Sequence, residues 1–240
     1  MINMTPIVVV ARRELEEICT DWRMLVPMLV LTFGVPLLLL LAVLTTLRYL
    51  PTTSLANWLI PLSLLLCAFL PIGLSLVNAS ESFVGERERN TLEALLAVPV
   101  GDSEIYFGKL AAALLLPACS SALAIATFAG TFMLLAPASL AGHLTLGLLG
   151  AIIGMAALKT LAMVAVTTVI SIHSTTVRAA NLLATFVLVP MGGLVHIEST
   201  LLTSQHGQSL LYIALALASA AALLIYVGLA TFNREAVLAR

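Results

Sequence analysis

Charged residues are scarce in this 240-residue chain. Asp, Glu, Lys and Arg make up 10% of it, whereas a soluble globular domain has about 25%. Apolar residues make up 61%, against about 45–50% in soluble domains. This composition excludes an ordinary soluble domain and indicates an integral membrane protein.

An excess of basic residues is also lacking, because 11 Lys and Arg are balanced by 12 Asp and Glu. Nucleic-acid binding needs a basic surface, and single-strand binding needs aromatic residues interleaved with it. We therefore expect no nucleic-acid partner. The three cysteines, Cys19, Cys67 and Cys119, are too far apart for a CxxC metal pair and do not suggest a disulfide framework.

Catalytic and metal-binding patterns are missing as well. There is no HExxH motif, and the four histidines are scattered along the chain. The two aspartates, Asp21 and Asp102, both lie in polar segments, which excludes a pair of intramembrane aspartates. We expect no catalytic residue, no metal site and no enzymatic activity on this chain.

Long apolar runs are the main feature that the chain does have. About 20 consecutive apolar residues can cross a bilayer as a helix. The sequence predicts an all-α membrane protein, one transmembrane domain over residues 1–240, with six spans at Met24–Leu47, Asn57–Ala79, Lys109–Leu135, Leu144–Ile172, Ala179–Ile197 and Ser209–Phe232.

The distribution of Lys and Arg predicts the orientation of these spans. Nine of the eleven fall on the side that holds both termini, Arg48 alone falls on the other side, and Lys159 lies within a span. Because cytoplasmic loops carry the excess of Lys and Arg, both termini are predicted to be cytoplasmic.

Residues 5–23 predict an amphipathic helix ahead of the first span. Thr5 and Pro6 are suited to the start of a helix. Apolar residues then recur at helical spacing opposite charged ones, at Leu15, Ile18, Cys19 and Trp22. Such a helix is expected to lie along the inner membrane surface.

One long charged stretch, Ser82–Lys109, separates the second and third spans. Within it, Asn90 can cap a short helix over Thr91–Val98, Glu93 can complete the cap, and Pro99 ends the helix. Its apolar residues share one face: Leu92, Leu95 and Leu96. A helix this short is marginal in water, so it needs a surface to pack against.

The same stretch contains no phosphate-binding loop. Six residues rather than four separate Gly101 from Gly108-Lys109, and Leu110 stands where a Ser or Thr would bind magnesium. The chain is therefore expected to bind neither ATP nor magnesium.

The charged stretch resembles the cytoplasmic signature of the type-2 ABC exporter permeases. The matching residues are Glu86-Arg87-Glu88-Arg89, Thr91-Leu92-Glu93, Leu95-Leu96, Pro99 and Gly108-Lys109. The resemblance implies a bacterial inner-membrane subunit with an interfacial elbow helix over residues 5–23 and a cytoplasmic coupling helix within residues 80–108. It also implies short re-entrant helices between spans five and six, near Pro190 and Gly192-Gly193.

The resemblance further implies a function and partners. The function is export of a small or lipophilic substrate from the cytoplasm or inner leaflet. The partners are a second permease copy or close homologue, membrane lipid, and a cytosolic ATPase subunit that binds ATP and magnesium. The residues expected to contact that ATPase are Glu86, Arg87, Glu88, Arg89, Thr91, Leu92, Glu93, Leu95, Leu96 and Pro99.

Lys159 is the one charge near the middle of a predicted span, where a charge costs about 2.5–3.5 kcal/mol on insertion scales. Thr160 and Thr167 occupy the same side of that helix, so these three are candidate residues of a substrate pathway. No predicted span carries a carboxylate to pair with Lys159, and removing its charge is expected to relieve a burial cost. The alternative is that its amine reaches a membrane interface.

Two other functions remain open from the sequence. One is an ion-coupled secondary transporter or channel that uses Lys159. The other is a non-transporting membrane anchor with the same fold as the exporter permeases.

Overall fold

The computed structural model describes residues 4–88, 101–204 and 207–232, and the regular structure in these ranges is entirely helical. The helices are α1 (Met4–Thr20), α2 (Trp22–Leu29), α3 (Val35–Tyr49), α4 (Thr53–Glu88), α5 (Asp102–Leu135), α6 (Ala138–Ala141), α7 (Leu146–His173), α8 (Val177–Thr203) and α9 (Gly207–Thr231), with a π-helical turn at Val30–Gly34 between α2 and α3. The predicted all-α class is confirmed.

Six helical segments of the described chain are long and apolar enough to cross a membrane, as predicted. The first is assembled from α2, the π-helical turn and α3, and the others lie in α4, α5, α7, α8 and α9. Thr32 in the π-helical turn is buried, and its hydroxyl hydrogen-bonds with the Ser120 hydroxyl of α5. This contact fixes the interrupted first span against its neighbour.

Helix α4 is the centre of the bundle and packs against α5, α7 and α8. Its completely buried residues include Ile60, Leu64, Leu65, Cys67, Ala68 and Ile72. Large apolar side chains on the outer faces of α3, α8 and α9 are exposed, among them Leu38, Phe186 and Tyr226. An exposed apolar surface of this kind is suited to hydrocarbon rather than water.

The two ends of the bundle differ. Helix α1 packs against α5, close to the last turns of α4, α7 and α9 and the first turn of α8, and we call this the α1 end. At the opposite end, residues 136–145 connect α5 to α7 through the short α6. We call it the hairpin end.

Two expectations about loops are changed by the structure. Helix α4 runs on to Glu88 and α5 begins at Asp102, so residues 80–88 and 102–108 of the predicted coupling segment belong to long helices. The helix predicted over Thr91–Val98 lies outside the described residues.

The expected re-entrant helices near Pro190 and Gly192-Gly193 are not found in the described part of the chain. Helix α8 passes through these residues without a break and ends at Thr203, and α9 begins at Gly207. A proline removes one backbone hydrogen bond, but membrane helices tolerate this where neighbouring helices satisfy the freed group.

Candidate functional site

Lys109 joins three helices at the α1 end. Its side chain is 1% exposed, and Nζ lies 2.7 Å from Glu14 Oε1 of α1 and 3.0 Å from Glu86 Oε1 of α4. The ammonium also donates a hydrogen bond of 2.8 Å to the Ser82 carbonyl and lies 5.4 Å from the centre of the Phe83 ring. We call Glu14, Ser82, Phe83, Glu86 and Lys109 the Lys109 junction.

The junction provides a hydrogen-bond acceptor for each donor of the buried ammonium. An ammonium has three donors, and three oxygens, from two carboxylates and one carbonyl, surround this one. Burial raises the pKa of Glu86 above its ordinary value, while the charge of Lys109 acts in the opposite direction. Removing one partner of a buried ion pair is costly, so the junction holds α1, α4 and α5 together.

Gly108, the neighbour of Lys109, allows α1 to approach α5 closely. A Cβ at this position would lie 2.8 Å from Val10 Cβ and 3.2 Å from the Ile7 carbonyl oxygen, and both of these belong to α1. Real Cβ atoms essentially never come as close as 2.8 Å to another atom, and 3.2 Å is already a tight contact. The Gly108-Lys109 pair therefore forms the contact of α5 with α1. Gly108 lets the two helices approach closely, and Lys109 forms an ion pair with Glu14.

An aromatic cluster attaches α9 to the same place. The rings of Phe83 and Phe232 are 5.0 Å apart, and Tyr106 stacks on Phe83. The Tyr106 hydroxyl donates a hydrogen bond of 3.4 Å to the Ile225 carbonyl and occupies the space that a side chain at Gly228 would need. The last span is thus connected to the junction through Phe83.

The Ser171 hydroxyl of α7 enters the backbone of α4 one turn before Glu86. It donates to the Ser80 carbonyl at 2.7 Å and accepts from the amides of Phe83 and Val84 at 3.2 Å each. A side chain that inserts into the hydrogen-bond ladder of a helix is a recognised cause of local bending. Helix α4 nevertheless continues as α-helix to Glu88, so the contact attaches α7 to α4 just before its last turn.

Glu88 connects that last turn to α8. Its Oε1 accepts a hydrogen bond of 2.8 Å from the amide of Val177, the first residue of α8. A carboxylate at a helix N-terminus is stabilised by the helix dipole. The final turn of α4 is thus attached to α1 and α5 through Glu86 and to α8 through Glu88.

The structure places the predicted partner-contacting residues as follows. Glu86 faces Lys109, with its side chain 17% exposed, and Glu88 is exposed and bound to the start of α8. Arg87 lies in α4 between them. The remaining predicted residues lie outside the described chain: Arg89, Thr91, Leu92, Glu93, Leu95, Leu96 and Pro99. The junction therefore lies beside both ends of that segment.

Lys159 has a partner that the sequence analysis missed. Its Nζ lies 2.6 Å from Glu198 Oε2, and both side chains are completely buried. The expectation that no span carries a carboxylate was wrong, because α8 extends to Thr203 and includes Glu198. Lys159 therefore does not reach a membrane interface in this structure.

The other two candidate pathway residues are buried on the same helix. The Thr160 hydroxyl donates to the Ala156 carbonyl, and the Thr167 hydroxyl donates to the Met163 carbonyl, at 2.7 Å each. Both side chains are completely buried. In this state of the protein the three candidate residues face protein rather than an open pathway.

Neither site has the composition of a metal centre. In the ranges that the structure describes, no group of three or more His, Cys, Asp or Glu side chains could hold a metal ion. The ionisable groups at both sites instead form lysine–carboxylate pairs.

Comparison with protein families shows a match over most of the chain. A family model described as ABC-2 family transporter protein matches residues 22–189, which is more than half of the chain. A search of curated proteins gives no match.

Proposed function

The chain belongs to the ABC-2 transporter family, and from this premise we propose that it is the permease subunit of an exporter driven by a separate ATPase. The family and the six apolar helices make it a membrane component of an ABC transporter. The proposal adds the direction of transport, which is outward, and a substrate that is small or lipophilic. It also adds the location, the inner membrane of a bacterium.

The observation that carries this proposal is the Lys109 junction. A separate ATPase must transmit force to the spans through the part of the permease that it contacts. Residues 89–100 directly follow α4, and Gly101 alone separates them from α5. Any displacement of that segment is passed to both helices, which are fastened to each other and to α1 by Lys109.

The distribution of Lys and Arg supports the orientation that the proposal needs. Arg12, Arg13, Lys109 and Arg178 lie in the helices of the α1 end, whereas Arg48 lies at the hairpin end, and the positive-inside rule then assigns the α1 end to the cytoplasm. With this orientation, residues 89–100 are available to a cytosolic partner, and Leu92, Leu95 and Leu96 supply the apolar anchors of the contact. Apolar anchors with a charged rim are typical of protein interfaces.

The nucleotide is assigned to the partner. The chain lacks the spacing of a phosphate-binding loop, as Gly101 and Gly108-Lys109 show. ATP and magnesium are therefore bound by the ATPase subunit. A second permease copy, identical or closely related, completes the transporter, and its contact with this chain lies within the membrane among lipids.

Lys159 and Glu198 favour a second candidate function. A buried lysine–glutamate pair in a membrane bundle is suited to proton- or ion-coupled transport, and Glu198 Oε1 has no hydrogen-bond partner among the residues that the structure describes. In that case Lys159, with Thr160 and Thr167, would line a pathway that opens when the pair separates. Transport would then depend on an ion gradient and not on ATP.

Reconstitution separates the two functions. The chain is co-expressed with a candidate ABC ATPase subunit, purified, and placed in vesicles with ATP supplied on the side of the ATPase. The proposal expects ATP hydrolysis by the complex, none by the isolated chain, and accumulation of lipophilic dye that requires ATP. Dye movement that follows a proton gradient without the ATPase would contradict the exporter proposal and support the ion-coupled one.

A further inference from the structure

Arg48 occupies an unusual place at the hairpin end. It lies in the last turn of α3, is exposed, and forms no ion pair with any described residue. The segments that connect the helices at this end, residues 50–52, 136–145 and 204–206, contain no Asp or Glu. The carboxylate of α8, Glu198, is completely buried and paired with Lys159. No residue that the structure describes therefore balances the charge of Arg48.

A cavity of about 680 Å³ lies beside Arg48. Small-molecule sites typically measure about 300–1,000 Å³. Its wall is largely apolar and is formed by the ends of α3 and α5 together with α6, including Leu44, Leu47, Leu135 and Leu140. Its polar groups come from the rim, where Arg48 and His143 both line it.

His143 adds a second polar group with a defined orientation. Its Nδ1 donates a hydrogen bond of 3.2 Å to the Leu140 carbonyl, which leaves Nε2 available to another partner. The same histidine also lines a neighbouring cavity of about 530 Å³. Thr52 and Ser139 supply further hydroxyl groups to the larger cavity.

We propose that the cavity at the hairpin end binds an anionic amphiphile. The anionic headgroup is held by the guanidinium of Arg48 and by the rim hydroxyls, and the aliphatic chain lies along the leucines of the wall. Arginine is suited to this role because its planar donors match a phosphate or a carboxylate. The proposal concerns binding and stands whether or not the protein exports its ligand.

Native mass spectrometry of the purified protein in a neutral detergent tests the proposal. The probes are phosphatidylglycerol, phosphatidylcholine with the same acyl chains, and dodecyl phosphate. We expect phosphatidylglycerol or dodecyl phosphate to bind in preference to phosphatidylcholine. Tighter binding of phosphatidylglycerol identifies a membrane lipid as the ligand, and tighter binding of dodecyl phosphate identifies a single-chain amphiphile.

Variants locate the binding at this cavity. Loss of a hydrogen-bonded charge pair weakens binding, so Arg48→Gln is expected to lower the affinity for the anionic probe roughly tenfold. Arg48→Lys keeps the charge and is expected to retain most of the affinity. Ser139→Trp keeps Arg48 but fills the cavity, and is expected to lower the affinity for the same probe. The matched control is Arg178→Gln, which removes an exposed arginine at the α1 end and is expected to leave binding unchanged.

Four results would overturn the proposal: equal binding of phosphatidylcholine and the anionic probes, an unchanged affinity in Arg48→Gln, an unchanged affinity in Ser139→Trp, or an equal loss in Arg178→Gln. The last of these would assign the preference to charge in general and not to the cavity. A Ser139→Trp variant that binds as the wild type would place the ligand elsewhere on the protein.

Discussion

Lys159 and Glu198 form an ion pair inside the bundle, with Nζ and Oε2 2.6 Å apart and both side chains completely buried. The pair joins α7 to α8 and is separated from the hairpin end by apolar residues that include Ile152 and Leu202. Replacing such a pair by apolar residues is often neutral, whereas removing one partner leaves an uncompensated charge. The expectation that removing the charge of Lys159 relieves a burial cost was therefore wrong, because the removal leaves Glu198 buried without its partner.

Lys159→Met is accordingly expected to lower the free energy of unfolding by about 3–5 kcal/mol, because Glu198 is left buried without its partner. The double variant Lys159→Met/Glu198→Leu is expected to recover most of this loss. Both values can be measured by unfolding in mixed micelles. A single variant as stable as the wild type, or a double variant no better than the single one, would contradict the role of the pair.

Gly108→Val is expected to displace α1 from α5, since the added side chain overlaps Val10. Hydrogen exchange measures this as faster exchange of the α1 amides, with the amides of α7 unchanged. Val10→Ala in the same chain removes the Cγ methyl groups of the opposing side chain but keeps its Cβ, and should restore part of the protection. Equal exchange in α1 with and without Gly108→Val would show that the close approach does not hold α1.

Glu86→Gln tests the electrostatics of the junction. The folded-state pKa of Glu86 is raised, mainly by burial, so its favourable contribution to stability is complete at low pH and is lost as the pH rises through that pKa. The groups that act on it are Lys109, Glu14 and Arg13. Relative to the wild type, the glutamine variant should gain stability as the pH rises above about 4.3, the ordinary value of glutamate.

Measured unfolding free energies of the two proteins between acid and neutral pH give this difference directly. The difference between variant and wild type should increase with pH. A difference that decreases with pH would mean that the attraction of Lys109 outweighs the cost of burying Glu86.

The sequence predicted the spans well because their signal is local. Hydropathy alone finds six apolar runs, and a charge within one of them, Lys159, is conspicuous. The carboxylate that pairs with it was missed because Glu198 itself lowers the local hydropathy, so the fifth span was ended one residue before it. The pattern Val195, Glu198, Ser199 and Leu202, which recurs at helical spacing, was the available signal that the helix continues.

The Lys109 junction could not be predicted from local patterns. Lys109 and Glu14 are 95 positions apart. The periodicity within α1 or α5 does not indicate which residues of the two helices are in contact. The resemblance singled out Gly108-Lys109 as part of a signature, but the reason for the glycine appears only when Val10 is packed against it. Long-range pairs of this kind depend on how the helices pack and not on where they begin and end.

The central claim is that residues 89–100 connect this permease to a separate ATPase, and co-purification of the two subunits tests it most directly. The variant Leu92→Asp/Leu96→Asp places charge on the proposed docking face, and Leu92→Met/Leu96→Met is the matched control that keeps it apolar. We expect all three proteins in the membrane fraction, and the ATPase to co-purify with the wild type and the methionine variant but not with the aspartate variant. An ATPase that remains bound to the aspartate variant in full amount would contradict the account.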